Sequence, residues 1–393
     1  MTSDHLWQPG TVRDAAGGIV ALALATFVAI TTELVPVGLL PQMSDDLAVT
    51  ESIAGLLLTV YAFMVATLAV PLVLVTRRLP RKGLLLGTLV AYTLSNALVA
   101  VAPSFGVVAG ARALGGVAHA IFFSVAIGYA SRLVTPQVTG RALALVTAGA
   151  SAGFVLGVPL TTALGAAVGW RAAFAVLGGA CAVAVVLVSL FLPAVAGGGA
   201  PVADEARTVN RTRLAVVSAT NSLTYLGQYT VYTYVAVLLL AAGLQEVAVG
   251  PVLLGLGALG LIGTAYAVAA LDKRPRRSTI LVLLSVALGL LALGAVFPSL
   301  AGVLAAAAVW SAGFGAVASV FQTAAIRTRG ASPDVIGALV NSTANIGIGG
   351  GAALGALVLA GPGLAWLPYL GAAIIAVGLV VVLVSRRAFP ATP

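Results

Sequence analysis

The sequence predicts an all-α polytopic membrane protein: twelve transmembrane helices in two pseudo-symmetric six-helix bundles. Three observations carry this. Apolar residues make up 61% of the 393 and charged residues only 8%, where soluble domains carry about 25% charge. The apolar stretches are near-continuous runs of about 20 residues rather than the alternating ten-residue segments of a barrel. Short basic loops recur in the second half of the chain at a nearly constant offset.

Breaks by charge, proline and glycine divide the chain into spans at 17–40, 52–74, 83–102, 105–133, 142–165 and 172–193. A second set follows at 214–242, 247–270, 279–297, 300–326, 335–360 and 364–385. Eighteen of the 20 Lys and Arg residues then fall on one side: Arg13; Arg77, Arg78, Arg81 and Lys82; Arg132 and Arg141; Arg207, Arg211 and Arg213; Lys273, Arg274, Arg276 and Arg277; Arg327 and Arg329; Arg386 and Arg387. Asp45, Asp46, Glu51 and Glu246 sit in the opposite loops. That bias places both termini in the cytoplasm. Only Arg112 and Arg171 escape it. The first apolar run is too long for a signal-peptide core, so it is expected to remain as a span.

Residues 194–213, small, polar and charged, read as a cytoplasmic linker between an N-terminal bundle (1–193) and a C-terminal bundle (214–393). RRLPRK at Arg77 recurs as DKRPRR at Asp272, and TPQVTGRAL at Thr135 recurs as SPDVIGALV at Ser332. Offsets of 195 and 197 argue for a duplicated six-helix unit. The net charge of +9 lies between spans, so it implies a bilayer and not a nucleic acid as partner. Cys181 is alone in the chain and forms no internal disulfide; it reads as a small buried hydrophobe.

Two formal charges fall inside spans, Glu33 in the first and Arg112 in the fourth, and His119 follows Arg112 on the same helical face. A carboxylate at membrane depth costs roughly 2.5 to 3.5 kcal/mol on insertion scales, which points to a proton-handling task for Glu33. A structural bridge to Thr31, Thr32 or a facing helix is the alternative. With a cytoplasmic amino terminus, Glu33 falls in the outer half of the membrane. His119 suits a proton relay or a solute contact. Arg112 could position solute or a carboxylate, or tie helices together.

Asn221, Tyr225, Gln228 and Tyr232 lie within a wedge of about 60° on the seventh span. Amides and phenols in line suit a neutral solute that is polyhydroxylated or of mixed polarity, or else an interhelical seam. Asn341 and Asn345 add two amides on the eleventh span. Gly149, Gly153, Gly157, Pro159 and Gly165 make the fifth span a close-packing hinge. No P-loop, HExxH, GxSxG or Cys/His cluster occurs, so neither an ATP-driven pump nor a membrane metalloenzyme is supported, and no enzymatic activity or cofactor is expected.

This pattern resembles the major facilitator superfamily, within it the drug/proton antiporter branch that includes bacterial sugar efflux transporters. The family's loop motif G-x-L-A-D-R-x-G-R-R aligns with Val73 to Lys82, keeping Arg78, Arg81 and Lys82, with Arg77 in place of the usual aspartate. Asp272 retains that acid in the second-half copy, so the resemblance implies a charge latch there. Arg112 and Gly116 match the fourth-span motif, and Gly153, Gly157, Pro159 and Gly165 the fifth. TTELVPVGLLP (Thr31 to Pro41), AHAIFFS (Ala118 to Ser124), LGVPL, GWRAAF and YTVYTY look like the arabinose-type sugar efflux permeases, which also resemble chloramphenicol exporters. The resemblance would make Glu33 and His119 shared cavity residues and Arg171 a loop residue on the outer side.

The resulting expectation is a monomeric, proton-coupled antiporter of the bacterial cell membrane. It would export a sugar or sugar-like small solute by alternating access. A drug or chloramphenicol-type exporter is the rival of the same class; an uncoupled uniporter or channel and a membrane receptor are rivals of others.

Overall fold

The computed structural model describes residues 9–76, 78–193, 211–331 and 333–391. Residues 194–210 of the expected linker at 194–213, and Arg77 and Ser332 of the repeated loops, lie outside them. Twelve helices among the described residues are long and apolar enough to cross a membrane: α1 (Ala16–Asp46), α2 (Glu51–Thr76), α3 (Arg81–Ala100), α4 (Phe105–Leu133), α5 (Thr139–Val168), α6 (Trp170–Phe191), α7 (Arg211–Ala241), α8 (Glu246–Ala270), α9 (Pro275–Val296), α10 (Leu300–Arg327), α11 (Val335–Ala360) and α12 (Leu364–Val384). The chain is a multi-pass membrane protein built as two six-helix bundles.

Most helices begin and end within a few residues of the expected spans, and α1 is the exception. It runs through Pro36 and Pro41 to Asp46 instead of stopping at 40. A proline deprives the carbonyl four residues back of its N–H, but inside a protein of this kind neighbouring helices can satisfy it. Pro36 so frees the carbonyl of Thr32, and Arg112 of α4 takes it up.

The expected hinge on α5 has a definite local form. Residues Gly153–Gly157 make a single π-helical turn directly before Pro159, a place where such bulges are common. The glycines themselves form a packing face on α1. A Cβ on Gly149 would lie 2.0 Å from the carbonyl oxygen of Ala23, one on Gly153 would lie 2.9 Å from that of Phe27, and one on Gly157 would lie 2.1 Å from the Thr31 hydroxyl. Backbone approaches backbone because nothing intervenes.

The two ends of the molecule differ. At the end bearing the acidic loops the halves meet: Gln42 of α1 donates to Glu246 of α8 at 2.5 Å. Leu40, Ala54, Tyr234, Val237, Ala356, Val358 and Leu367 are buried together there. The Tyr234 hydroxyl bonds the Ala352 carbonyl at 2.9 Å, and its ring lies so near Gly55 that a Cβ on that residue would stand 2.2 Å from the phenol oxygen. Within the N-terminal half, Asp46 accepts from the Trp170 indole at 2.9 Å and pairs with Arg171. Arg171 thus belongs to a closed polar knot rather than to a free loop.

At the basic end, Lys82, Arg276 and Asp272 each bond within their own half. Lys82, at the start of α3, donates to the carbonyls of Ser189 and Leu192 at 2.9 and 2.5 Å. Arg276, at the start of α9, does the same for Leu383 and Phe389 at 2.6 and 3.1 Å. Each cation satisfies one carbonyl in the last turn of the final helix of its bundle and one just beyond it, where helical donors run out. The two capping residues are 194 positions apart, so the repeat read from the loops extends to what the loops do. Asp272 pairs with Arg327 at 3.0 Å, in keeping with the implied latch. Arg78 is exposed and Arg81 half-buried at the corresponding loop of the first half.

Candidate functional site

Polar chemistry inside the molecule collects in two places. The first lies within the N-terminal bundle, where α1, α2, α3, α4 and α6 converge. Arg112 is fully buried, and its guanidinium donates to the backbone carbonyls of Thr32 and Glu33, the latter at 2.6 Å. It also lies over the Tyr61 ring, 4.2 Å from the centroid. Of the readings open for Arg112, tying helices is the one its geometry fits, since it grips the α1 backbone where Pro36 breaks the hydrogen-bond ladder.

With its backbone so held, the Glu33 side chain turns to His119. Its Oε2 stands 3.7 Å from His119 Nε2, and its Oε1 has no hydrogen-bond partner among the described residues. His119 Nδ1 shares a 2.9 Å hydrogen bond with the Tyr61 hydroxyl. Tyr61, Tyr92 and Phe123 ring the imidazole at centroid distances of 5.5, 6.3 and 5.1 Å. Beside this group, Asn96 of α3 donates to the Thr32 hydroxyl and to the Tyr92 carbonyl, both at 3.0 Å, and reaches the Cys181 sulfur at 3.7 Å. Cys181 is buried, as expected, but with polar neighbours. A carboxyl with one oxygen free and an imidazole on the other can take up and release a proton without a large rearrangement.

The second place is a cavity of about 230 Å³ between the bundles, walled by α7, α8 and α10 of one half and α5 of the other. Tyr225, Gln228, Tyr229 and Tyr232 line it from α7, and Phe154 and Phe314 from α5 and α10. The rings touch in sequence: Phe314 on Tyr225 (5.6 Å), Tyr225 stacked on Tyr229 (6.2 Å), Tyr229 on Tyr232 (5.6 Å) and Tyr232 on Trp310 (6.2 Å). The Trp310 indole donates to Gln228 Oε1 at 2.6 Å, which leaves the amide N–H groups of Gln228 for an occupant. Ser151, Thr264, Ser311 and Ser319 add hydroxyls.

The α7 stripe therefore divides. Tyr225, Gln228 and Tyr232 line the cavity, but Asn221 turns to α11 and donates to the Val340 carbonyl and the Thr343 hydroxyl, both at 3.0 Å. That is the seam alternative, and its cause is the close approach of α11: Gly347 and Gly351 lie against Ser222, Tyr225 and Leu226. On α11 itself Asn345 donates to the Asn341 carbonyl at 3.1 Å, and neither residue is among those lining the cavity. His119, expected as both relay and solute contact, is enclosed by its own bundle and does not line the cavity either; the rings that surround it occupy the space a solute would need.

Sequence reasoning passed over Tyr61, Tyr92, Asn96, Tyr229 and Trp310. Tyr92 and Asn96 recur at i, i+4 on α3, a spacing that could have exposed them. Tyr61 carried no such signal.

Two bundles of membrane helices, a cavity between them and a buried titratable pair in one of them are the parts a solute transporter needs. Residues 22–337 match the model of the Major Facilitator Superfamily. The chain belongs to that superfamily. It is 33% identical over 368 residues to a chloramphenicol efflux pump of Mycobacterium tuberculosis, a match that covers 91% of this chain and 89% of that one. It is 29% identical over 364 residues to a protein of Mannheimia succiniciproducens named a probable sugar efflux transporter, covering 92% of each. Among solved structures, a bacterial homolog of the human lysosomal transporter Spinster in an inward-facing, occupied conformation aligns over 95% of this chain and 97% of its own at TM-score 0.79 and 13% identity. A D-xylose–proton symporter aligns over 96% and 98% at TM-score 0.73 and 14% identity. Both likenesses are of fold.

Proposed function

We propose that this chain is a proton-coupled exporter of small, neutral, amphiphilic solutes of the chloramphenicol kind, working by alternating access in a bacterial cell membrane. The observation that carries the reading is the composition of the cavity. Its walls combine aromatic and aliphatic faces with one free amide and the hydroxyls of Ser151, Tyr225, Tyr229, Tyr232, Thr264, Ser311 and Ser319, which suits a flat apolar body carrying several polar groups. A sugar presents hydroxyls on every side, each of which loses water on entry and must find a partner. Thr264 already donates to the Gly315 carbonyl and Gln228 already accepts from Trp310, which leaves the Gln228 N–H groups and the hydroxyls of Ser151, Ser311, Ser319 and the three tyrosines for a solute. The sugar expectation from the sequence stands as the alternative, supported by those hydroxyls and by the relative named for that substrate.

The halves, 1–193 and 214–393, rock about the cavity on the linker at 194–213, the monomer being the working unit and both termini facing the cytoplasm. Tyr225, Gln228, Tyr229 and Tyr232 hold the solute. Glu33, with His119 beside it, carries the proton, and Arg112 and Tyr61 fix the positions of these two. Gly153, Gly157 and Pro159 serve as the flexing face between α5 and α1. Coupling requires that protonation favour one orientation of the halves over the other, since only differential binding shifts such an equilibrium.

The test is counterflow in proteoliposomes of the purified chain, with chloramphenicol, pentoses, hexoses and thiogalactosides at two pH values. Chloramphenicol counterflow that is accelerated by a pH gradient is expected, and Glu33→Gln is expected to remove the pH-gradient-driven component while leaving the protein folded. Counterflow of a sugar without chloramphenicol would replace the substrate. Export by Glu33→Gln at the unmodified rate would sink the coupling.

A further inference from the structure

We infer that the cavity is filled sideways, through a portal between α5 and α8 that opens into the bilayer leaflet at the basic end, so that its occupant arrives dissolved in lipid rather than from water. This rests on the cavity being the solute site proposed above.

Four observations converge. First, the contact between α5 and α8 is carried by Gly153–Val168. Its close points are Gly250, where a Cβ would lie 3.0 Å from Pro159 and Ala163 atoms, and Gly257, where one would lie 3.1 Å from Val155. Second, the residues at the lower edge of this contact line the cavity and are not covered by the neighbouring helix: Phe154 is 40% exposed and Leu261 49%. Third, the rim is apolar. No Asp, Glu, Lys or Arg occurs on α5 beyond Arg141 or on α8 beyond Glu246, and Ile262 is 59% and Val268 80% exposed. Ser151 stands twelve residues into α5 and Leu261 nine from the end of α8, roughly 18 and 13 Å from the basic end at 1.5 Å per residue, hence at acyl-chain depth.

Fourth, the opposite seam is sealed at comparable depth. There the Ser342 hydroxyl of α11 donates to the Ala66 carbonyl of α2 at 2.8 Å, and nearer the acidic end the Thr59 hydroxyl donates to the Gly349 carbonyl at 3.0 Å. If the halves merely splayed apart at the basic end, both seams would open alike. The asymmetry is what points to a side entrance.

The full chain is reconstituted in vesicles of phosphatidylcholine with brominated acyl chains, which quench fluorophores at short range. A bimane label goes on Ser319→Cys, on the cavity wall of α10 at portal depth; the native Cys181 is buried and bonded. The label is expected to lose more than half its emission relative to unbrominated vesicles. It should regain that emission when the rim is narrowed by Ala148→Trp with Ala265→Trp, two exposed positions that do not line the cavity. A label on Asn341→Cys, on α11 by the sealed seam, is expected to be quenched far less; this comparison stands even if the double tryptophan variant does not fold. No quenching at Ser319→Cys, equal quenching at Asn341→Cys, or quenching that a folded double tryptophan variant leaves untouched would each overturn the portal. Loss of chloramphenicol counterflow with quenching intact would remove the proposed substrate and leave the portal, so the two failures are separable.

Discussion

Arg112 illustrates how one residue can be conspicuous in a sequence for a reason the sequence does not state. A buried cation invites the search for a buried anion, and Glu33 is near, yet the guanidinium goes to the Thr32 and Glu33 carbonyls and not to the carboxylate. Pro36 explains the difference, because it leaves the Thr32 carbonyl without its helical donor. Arg112→Ala should therefore lower stability by about 1–3 kcal/mol, the usual cost of leaving a buried acceptor unpaired. In a Pro36→Ala background, where the backbone N–H returns, the same change should cost less; a double-mutant cycle by thermal unfolding measures the coupling. Equal costs in both backgrounds would refute the capping role. Gln228→Leu should weaken chloramphenicol binding about fivefold to tenfold, the equivalent of one hydrogen bond of about 1–1.5 kcal/mol, readable by quenching of Trp310. Charges in apolar spans were legible without a structure because membrane insertion makes them costly. Tyr61 was not, because a hydroxyl on such a helix costs little and can always be read as packing.

At the scale of helices, glycine patterns were visible, but the partner of each face was not. Spacing identified the α5 glycines as a packing surface; only the fold assigns that surface to α1 and gives it a π turn at Gly153–Gly157. A leucine at Gly149 or Gly157 has backbone or a threonine hydroxyl in its path, so each should abolish stable expression, whereas Gly140→Leu, with open space at its Cβ, should be tolerated. Expression and thermal unfolding of the three variants decide this. The end of α1 was misread for a related reason. Proline is a stop signal when water must satisfy the freed carbonyl and a mere irregularity when a neighbouring helix does. The four-residue stripe on α7 was real as a stripe, but which way each member faces depends on how closely α11 settles over Asn221, a property of another segment's glycines.

For the molecule as a whole, the number of helices and their two-bundle arrangement were legible because each is written in composition: apolar runs and repeated loops. The closed state of the acidic end was not, since it depends on tyrosine and glycine meeting across halves. Gly55→Val places a methyl group where Tyr234 now lies and should favour opening at that end; thiol labelling of a cysteine placed at Ala54 should then quicken severalfold, and an unchanged rate would contradict the gate. The separation of the two polar places has a wider consequence. If a proton resides among Glu33, His119 and Tyr61 while a solute resides among Tyr225, Gln228, Tyr229 and Tyr232, the two never touch, and they contend for a posture of the molecule instead of a position within it. Acidity then acts as a common multiplier. Changing the pH should rescale the apparent affinity of every accepted solute by one shared factor, whatever its shape, and variants of the cavity wall should alter the ranking of solutes without altering that factor.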